Sequence, residues 1–239
     1  MTIELSLGNA KTGPSISLPN GTTCPGATDI CKAGKCYVNY GRMALPVCKD
    51  KRERNWQACK EGMKQGDLAY QIINAVKAAK ISTLRIHDSG DFAGPLHVNH
   101  WVVACEMLPK VSFWAYTRSW AIPTILAALV NLAKLPNVAL WLSCDVTSYK
   151  DCIQVIKDNP NTFAGLAFMQ TSNDQQMIIK QLKQAANLIV FLEHQSFGRL
   201  AVKPISAAPN CPAIMHEIEA SKKSPACLAC KRCLPVQVS

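Results

Sequence analysis

Residues 138–157 read VALWLSCDVTSYKDCIQVIK, and this unit of one strand and one helix decides the fold. Its first five residues are all apolar, which is typical of a strand that is buried on both faces of a parallel sheet. The polar run SCD ends the strand, and Thr147 or Ser148 can cap a helix that continues to Lys157. Because parallel strands need a crossover connection, the unit predicts an α/β fold.

The same unit recurs along most of the chain. We expect six short apolar strands at Ser15–Leu18, Thr83–Ile86, Val111–Tyr116, Val138–Leu142, Phe163–Met169 and Leu188–Leu192. Helices are expected at Asp67–Lys80, Leu96–Leu108, Pro123–Leu135 and Asp174–Asn187, besides the one that ends at Lys157. The pattern predicts an open six-stranded parallel (βα)6 partial barrel, TIM-like, over residues 1–200. A C-terminal cysteine-rich extension, residues 201–239, would bind an iron–sulfur cluster.

Four cysteines near the end of the chain form the most specific candidate site: Cys211, Cys227, Cys230 and Cys233. The last three are spaced C-x2-C-x2-C, and Pro235 follows closely. Gaps of two residues let a tight loop direct consecutive thiolates at one metal core, as in 4Fe-4S sites. Zinc also accepts four thiolates, although its sites typically pair two C-x2-C units across a longer spacer. The spacing favours a 4Fe-4S cluster over zinc, with disulfides as a further alternative.

A second group, Cys24, Cys31 and Cys36, lies in a short loop near the start of the chain. Three thiolates leave one position of a metal site open, and an open position is typical of a catalytic site. The fourth ligand could be Cys48 or Cys59, another part of the protein, or a small molecule. The alternative is a closed structural site.

Polar residues at the ends of the strands form the third candidate site. In parallel α/β proteins, ligands bind at the carboxyl edge of the sheet, and both cysteine groups follow a strand, so we expect one shared site there. His87, Asp88 and Asp91 could bind polar groups of a ligand or move a proton, and the alternative is loop capping. Arg118 could clamp an anion or pair with an acidic loop.

Charge suggests a further partner. The formal net charge is +10 and the sequence pI is about 9.1. Much of the charge is local, and the basic residues that we expect to contact nucleic-acid phosphates are Lys49, Lys51, Arg52 and Arg54. The alternative is a solvated basic surface that offsets anionic clusters.

The layout resembles that of the radical SAM enzymes, which have a six-stranded partial barrel and a three-cysteine loop after strand one. That resemblance implies one or two 4Fe-4S clusters, S-adenosylmethionine (SAM) bound to an open iron, and an external reductant. Cys36-Tyr37 resembles the end of the family's loop, and Ser89-Gly90-Asp91 lies where the family contacts the SAM amino group. The spacing C-x6-C-x4-C departs from the family's usual C-x3-C-x2-C.

Three motifs resemble those of the gene product 88 family of phages and mobile elements: CPGAT at residues 24–28, HDSGDF at residues 87–92 and CPA at residues 211–213. This resemblance spans most of the chain and implies no particular reaction.

Finally, the sequence contains no cleavable export signal and no apolar run long enough to span a bilayer. Twelve cysteines without an export signal predict a cytoplasmic protein with free thiols. We therefore expect an iron–sulfur protein that acts as a radical-SAM-like enzyme if it is catalytic. The alternative is a non-catalytic iron–sulfur or zinc protein that binds nucleic acid.

Overall fold

The computed structural model describes residues 2–8, 10–32, 36–193, 202–205, 208–212 and 225–235. Two parts of the motifs above lie outside these ranges, namely residues 33–35 of the first cysteine loop and Ala213.

The core of the fold is one sheet of six strands. The strands are β1 (Ser15–Ser17), β2 (Thr83–Ser89), β3 (Ser112–Thr117), β4 (Val138–Cys144), β5 (Gly165–Gln170) and β6 (Leu188–Leu192). Every strand pairs in parallel with the next one in the chain, which confirms the predicted α/β fold with an all-parallel sheet. In the described part of the chain, no ladder joins β6 to β1, so closure into a barrel stays a prediction.

Seven α-helices accompany the sheet within the described residues: α1 (Pro46–Gln65), α2 (Leu68–Ala79), α3 (Pro95–Glu106), α4 (Pro123–Ala133), α5 (Tyr149–Asp158), α6 (Gln176–Ala185) and α7 (Ala226–Cys230). Helices α2 to α6 lie where the sequence predicts them. No prediction covers α1, because it is rich in charge and its buried residues include Arg52 and Asn55. Its ends are regular, with Pro46 in the first turn and Gly66 at a φ of 78° after the last.

The sheet is strongly curved. The rings of Tyr116 on β3 and Phe191 on β6 have centroids only 5.2 Å apart, although two strands lie between them. In a flat sheet, three strand spacings would separate them by about 14 Å. The concave face therefore brings side chains from distant strands together.

The helices cover the opposite, convex face. Trp101 of α3 packs edge-on against Phe113 of β3, and both side chains are fully buried. None of the helices in the described ranges is both long and apolar enough to cross a membrane.

A register shift at the start of the sheet positions part of the candidate site. Ser15 of β1 pairs with Arg85 of β2, whereas Ser17 pairs with Ser89, so β2 contains extra residues between the two pairs. Such bulges redirect side chains locally. Here the shift turns Asp88 towards β1, where both serine hydroxyls donate to its carboxylate, at 2.8 Å from Ser15 and 2.6 Å from Ser17.

Candidate functional site

The loop that carries the first three cysteines packs over the carboxyl ends of β2, β3 and β4. A Cβ atom on Gly26 would lie 1.9 Å from the carbonyl oxygen of Arg118, so only glycine permits this approach. Two residues later, Thr28 donates a hydrogen bond of 2.6 Å to Asp145, which follows β4. The CPGAT motif is therefore the part of the loop that fits against the sheet edge.

Buried Asp91 holds this edge of the sheet together by accepting hydrogen bonds. One carboxylate oxygen accepts from the Phe92 amide (2.8 Å) and the Thr117 hydroxyl (2.7 Å). The other accepts from the amides of Arg118 (2.7 Å) and Ser119 (3.1 Å). Burial raises the pKa of Asp91, while these four bonds act in the opposite direction by stabilising the carboxylate. With both oxygens engaged by its own chain, Asp91 is placed to hold the loop, and its binding of a ligand's amino group stays a prediction.

Ser89 and Gly90, predicted to bind the same ligand, also make local contacts. The Ser89 hydroxyl donates to the carbonyl of Leu18 at 2.7 Å. Gly90 has a φ of 74°, and a Cβ atom there would lie 2.5 Å from the Thr23 hydroxyl. Both contacts join the end of β2 to the segment just before Cys24, and they favour the alternative of loop capping.

His87 lies on the convex side of the sheet. Its ring contacts those of Phe92, His97 and Trp101 at centroid distances of 4.8, 5.2 and 5.7 Å. Neither ring nitrogen has a hydrogen-bond partner among the described residues. Burial, with smaller contributions from His97 and Arg85, lowers the pKa of His87 well below its usual value. These contacts favour a neutral packing residue over the predicted proton transfer.

Arg118 pairs with an acidic residue of the next strand end. Its guanidinium lies 2.8 Å from Asp145, and the Arg118 side chain is 15% exposed. Burial acts to raise the pKa of Asp145, but Arg118 and the hydroxyls of Thr147 and Thr28 outweigh it, so the pKa is lowered. Of the two roles predicted for Arg118, the contacts favour the ion pair with an acidic loop.

The three cysteines of the first loop lie beside this network. The charges nearest Cys24 include Asp91 and Cys36, and those nearest Cys36 include Cys31 and Arg118. Burial is the main cause that raises the pKa of both thiols, that of Cys24 to about 12. Cys59, considered above as a fourth ligand, is buried within α1.

The last four cysteines gather at a different place, on the concave face. Cys211, Cys227, Cys230 and Cys233 all line one cavity of about 20 Å³. The amides of Ala226 and Cys227 donate to the carbonyls of Ala10 and Lys11, which precede β1 and so belong to the amino-terminal side of the sheet. These bonds place the C-terminal group beside the segment that precedes β1, and a single site shared by both cysteine groups stays a prediction.

Cations and aromatic rings complete the cavity wall. Arg85 lies over the ring of Tyr116, with 4.7 Å between the guanidinium carbon and the ring centroid, and Lys11 lies 5.6 Å from the centroid of Phe191. The Tyr116 hydroxyl is 2.7 Å from the sulfur of Cys233. The wall therefore offers two positive charges and one hydroxyl donor to the thiols.

These charges influence one another. Burial and the neighbouring Arg85 lower the pKa of Lys11, whereas the thiols at positions 211, 227 and 233 favour its charged form. Burial raises the pKa of Cys233 to about 12, although the hydrogen bond from Tyr116 acts to lower that pKa. An anionic group held by these thiols would therefore have two cations beside it.

No three His, Cys, Asp or Glu residues of the described ranges lie close enough to hold one metal ion. For a single zinc ion with bonds of about 2.3 Å, four tetrahedral thiolates would lie within about 3.8 Å of one another.

The predicted nucleic-acid residues are mostly engaged within the protein. Lys51 donates to the carbonyl of Leu5 at 2.7 Å, and Arg52, which is buried, donates to the carbonyl of Met43 at 2.9 Å. Arg54 forms two bonds with Glu4, at 2.8 and 3.2 Å. Lys49 and Arg54 are both exposed.

Sequence reasoning missed Lys11 and Arg85 as parts of the site. One signal was available, because Arg85 lies between apolar Leu84 and Ile86 in a predicted strand, and charged residues that are withdrawn from solvent nearly always have a partner. No comparable signal marks Lys11, whose position depends on α7 folding back across residues that precede β1.

Comparison with known proteins identifies the family. A family model described as Gene product 88 matches residues 3–235, so the chain belongs to that family. A relative, the Gene 88 protein of Mycobacterium phage L5, is 29% identical over 176 residues, which is 69% of this chain and 70% of the phage protein. No solved structure matches the chain.

Proposed function

We propose that this member of the Gene product 88 family is an iron–sulfur protein in which Cys211, Cys227, Cys230 and Cys233 hold a 4Fe-4S cluster. The observation that carries the proposal is the convergence of all four thiols on one cavity of the concave face. Cys227 and Cys230 lie three residues apart at the two ends of the single turn α7, so they share a side of it. Lys231, at a φ of 57°, then reverses the chain before Cys233.

The surroundings favour a cluster over a single ion. Each thiolate of a cuboidal cluster binds a different iron, so the four sulfurs lie farther apart than around one zinc ion. All four thiols line one cavity, so each of them could bind a different iron. Lys11 and Arg85 would offset the negative charge, and the Tyr116 hydroxyl would donate to a ligand sulfur, an interaction that adjusts cluster potentials.

The cavity must widen when the cluster binds. Its volume of about 20 Å³ is close to the space of one water molecule. The segment 225–235 would have to shift, and the contacts that hold it include the bond from Trp141 to the Cys233 carbonyl at 3.1 Å. We therefore expect hydrogen exchange in this segment to slow when the cluster is loaded.

Metal analysis after anaerobic purification tests the proposal. About four irons and four sulfides per chain, with little zinc, are expected from this site alone. Cys230→Ser should lose iron and stability, because ligation stabilises the surrounding segment. Cys105→Ser is the matched control, since Cys105 is fully buried in α3 and should keep its metal. Zinc without iron or sulfide, or full iron content in Cys230→Ser, would contradict the proposal.

A second cluster, with an open iron that accepts SAM, is the corresponding proposal for Cys24, Cys31 and Cys36. It is favoured by the position of their loop over the carboxyl edge of an all-parallel sheet.

Spectroscopy separates the two sites. About eight irons per chain would indicate that both are loaded. Added SAM should change the EPR spectrum of the reduced protein, and reductant with SAM should release deoxyadenosine. An iron-replete protein that does neither would remove the enzymatic role and leave the C-terminal site unaffected.

A further inference from the structure

An exposed aromatic and apolar surface lies beside the first cysteine loop, and neither proposed cluster accounts for it. It is formed by two short 3-10 helices, Tyr37–Asn39 and Gly41–Ala44, and by the start of α1. Four of its large side chains are exposed, namely Tyr37 at 48%, Tyr40 at 39%, Leu45 at 49% and Val47 at 67%, whereas Val38 is buried. Apolar groups of this size that remain exposed together are typical of an interaction surface.

The backbone holds this surface in one conformation. Amide-to-carbonyl bonds run from Tyr40 to Tyr37 (3.2 Å) and from Leu45 to Arg42 (3.3 Å), and they close the two helical turns. Buried Arg52 anchors the second turn through the carbonyl of Met43. Tyr40 follows the first turn in extended backbone, with a φ of −126° and a ψ of 160°, and both tyrosines are exposed.

The charge of the surface is positive. The sequence from residue 30 to residue 49 contains no aspartate or glutamate, and its basic residues are Lys32, Lys35, Arg42 and Lys49. Of these, Arg42 and Lys49 are exposed on the surface itself. A polyanion is therefore the partner that its charge favours.

We propose that this surface, formed by Tyr37, Tyr40, Arg42 and Lys49, binds single-stranded nucleic acid. Exposed rings stack on unpaired bases whatever their sequence, and neighbouring cations contact the backbone phosphates. The bases of a duplex are already stacked on one another, so the tyrosines select the single strand. The residues differ from those expected from sequence, because Lys51, Arg52 and Arg54 are engaged elsewhere.

Fluorescence polarisation with a labelled oligo-dT of about twelve nucleotides tests the stacking, since single-strand sites span about 4–16 nucleotides. Tyr40→Ala should weaken binding about tenfold, because loss of one stacked base costs about 1–3 kcal/mol. Tyr40→Trp should restore it. The matched control is Tyr70→Ala, which removes a tyrosine that is 56% exposed on α2 and should leave binding unchanged. Tyr37 is left intact because it adjoins Cys36.

The salt dependence tests the cations. Arg42→Gln combined with Lys49→Gln should reduce the slope of log affinity against log salt by about 1.4, since each phosphate contact contributes about 0.7 on a single strand. Lys60→Gln combined with Lys64→Gln removes the same charge from exposed positions farther along α1 and should change the slope much less.

Four results would overturn the proposal: no binding at low salt, equal affinity for duplex and single strand, equal losses in Tyr40→Ala and Tyr70→Ala, or equal competition by polyglutamate. The last result would assign the surface to an acidic protein partner. Binding does not require a metal, so failure of the iron–sulfur proposal would leave these measurements valid.

Discussion

The two cysteine groups are held in opposite ways. The loop of Cys24, Cys31 and Cys36 lies on a dense polar network in which Asp91 and Asp145 accept most of the hydrogen bonds. The thiols of the C-terminal group instead meet cations and aromatic rings on the concave face. The first arrangement fixes the backbone of the cysteine loop. The second places positively charged side chains beside any group that the thiols bind.

The comparison favours a structural role for the polar residues at this carboxyl edge. Asp91 follows β2 at the edge where functional residues often lie in parallel sheets, and four donors of the chain engage its two oxygens. The groups that face the C-terminal thiols lie within strands, as Arg85 and Tyr116 do, and not in the loops that follow them.

The largest expected effect comes from removing the centre of the polar network. Asp91→Ala should destabilise the protein by at least about 3 kcal/mol in urea unfolding, because it leaves several buried donors without an acceptor. It should also disturb the first cysteine loop, whose contacts with Arg118 depend on the same strand end.

An exposed carboxylate provides the control for that variant. Asp158→Ala, at the end of α5, should cost less than about 0.5 kcal/mol. If Asp91→Ala were as stable as the parent protein and failed to bind SAM, Asp91 would be a ligand-binding residue. The contrast between the two cysteine groups would then be wrong.

A smaller loss is expected when the loop alone is displaced. Gly26→Ala should cost about 1–3 kcal/mol and lower iron bound at the first group, since its Cβ would overlap the carbonyl of Arg118. Gly94→Ala is the matched control, because a Cβ there meets nothing within 4 Å. Iron at the C-terminal group should be unchanged in both, and its loss in Gly26→Ala would mean that the two groups are coupled.

The sequence predicts most of the sheet for a simple physical reason. Strands buried on both faces must be continuously apolar. The apolar runs that begin at Val138 and Leu188 therefore predict two of the strands. Burial of Trp101 and Trp114 in the core follows from the same pattern. Helix α1 could not be found from periodicity, because polar Arg52 and Asn55 occupy positions on its buried side.

The site is less predictable, because the role of a polar residue depends on partners that are distant in sequence. Thr117, Arg118 and Ser119 all lie more than twenty residues beyond Asp91, and no local pattern links them. The C-terminal spacing identifies candidate ligands without a structure. The position of Arg85 beside these ligands cannot be predicted without knowing how the sheet curves.

The pH dependence of stability tests whether His87 belongs to the convex helix layer. Burial lowers the pKa of His87 well below its usual value, and that of His97 to about 3. The unfolded chain, with a histidine pKa of about 6.5, therefore binds more protons than the folded protein at acidic pH. The contribution to stability is complete above about pH 6.5 and falls below it, by up to about 1.4 kcal/mol per pH unit for each histidine.

His87→Leu should make this decline less steep, as measured by urea unfolding from pH 7 to pH 5. The substitution loses no hydrogen bond, because neither ring nitrogen of His87 has a partner in the described part of the chain. An unchanged slope would mean that His87 is solvated, as the catalytic role at the sheet edge would require.

The smallest effect is expected at the hydroxyl that faces the C-terminal thiols. Tyr116→Phe keeps the ring that packs on Arg85 and Phe191 and removes only the bond to the Cys233 sulfur. Because a donor to a ligand sulfur stabilises the reduced, more negative cluster, its loss should lower the reduction potential by tens of millivolts, on the order of 1 kcal/mol. Tyr149→Phe on α5 serves as the control, and redox titration of the two variants is the measurement. If the reduction potential changed equally in both variants, or in neither, the Tyr116 hydroxyl would not contact the cluster. The C-terminal cysteines would then need another partner on the concave face.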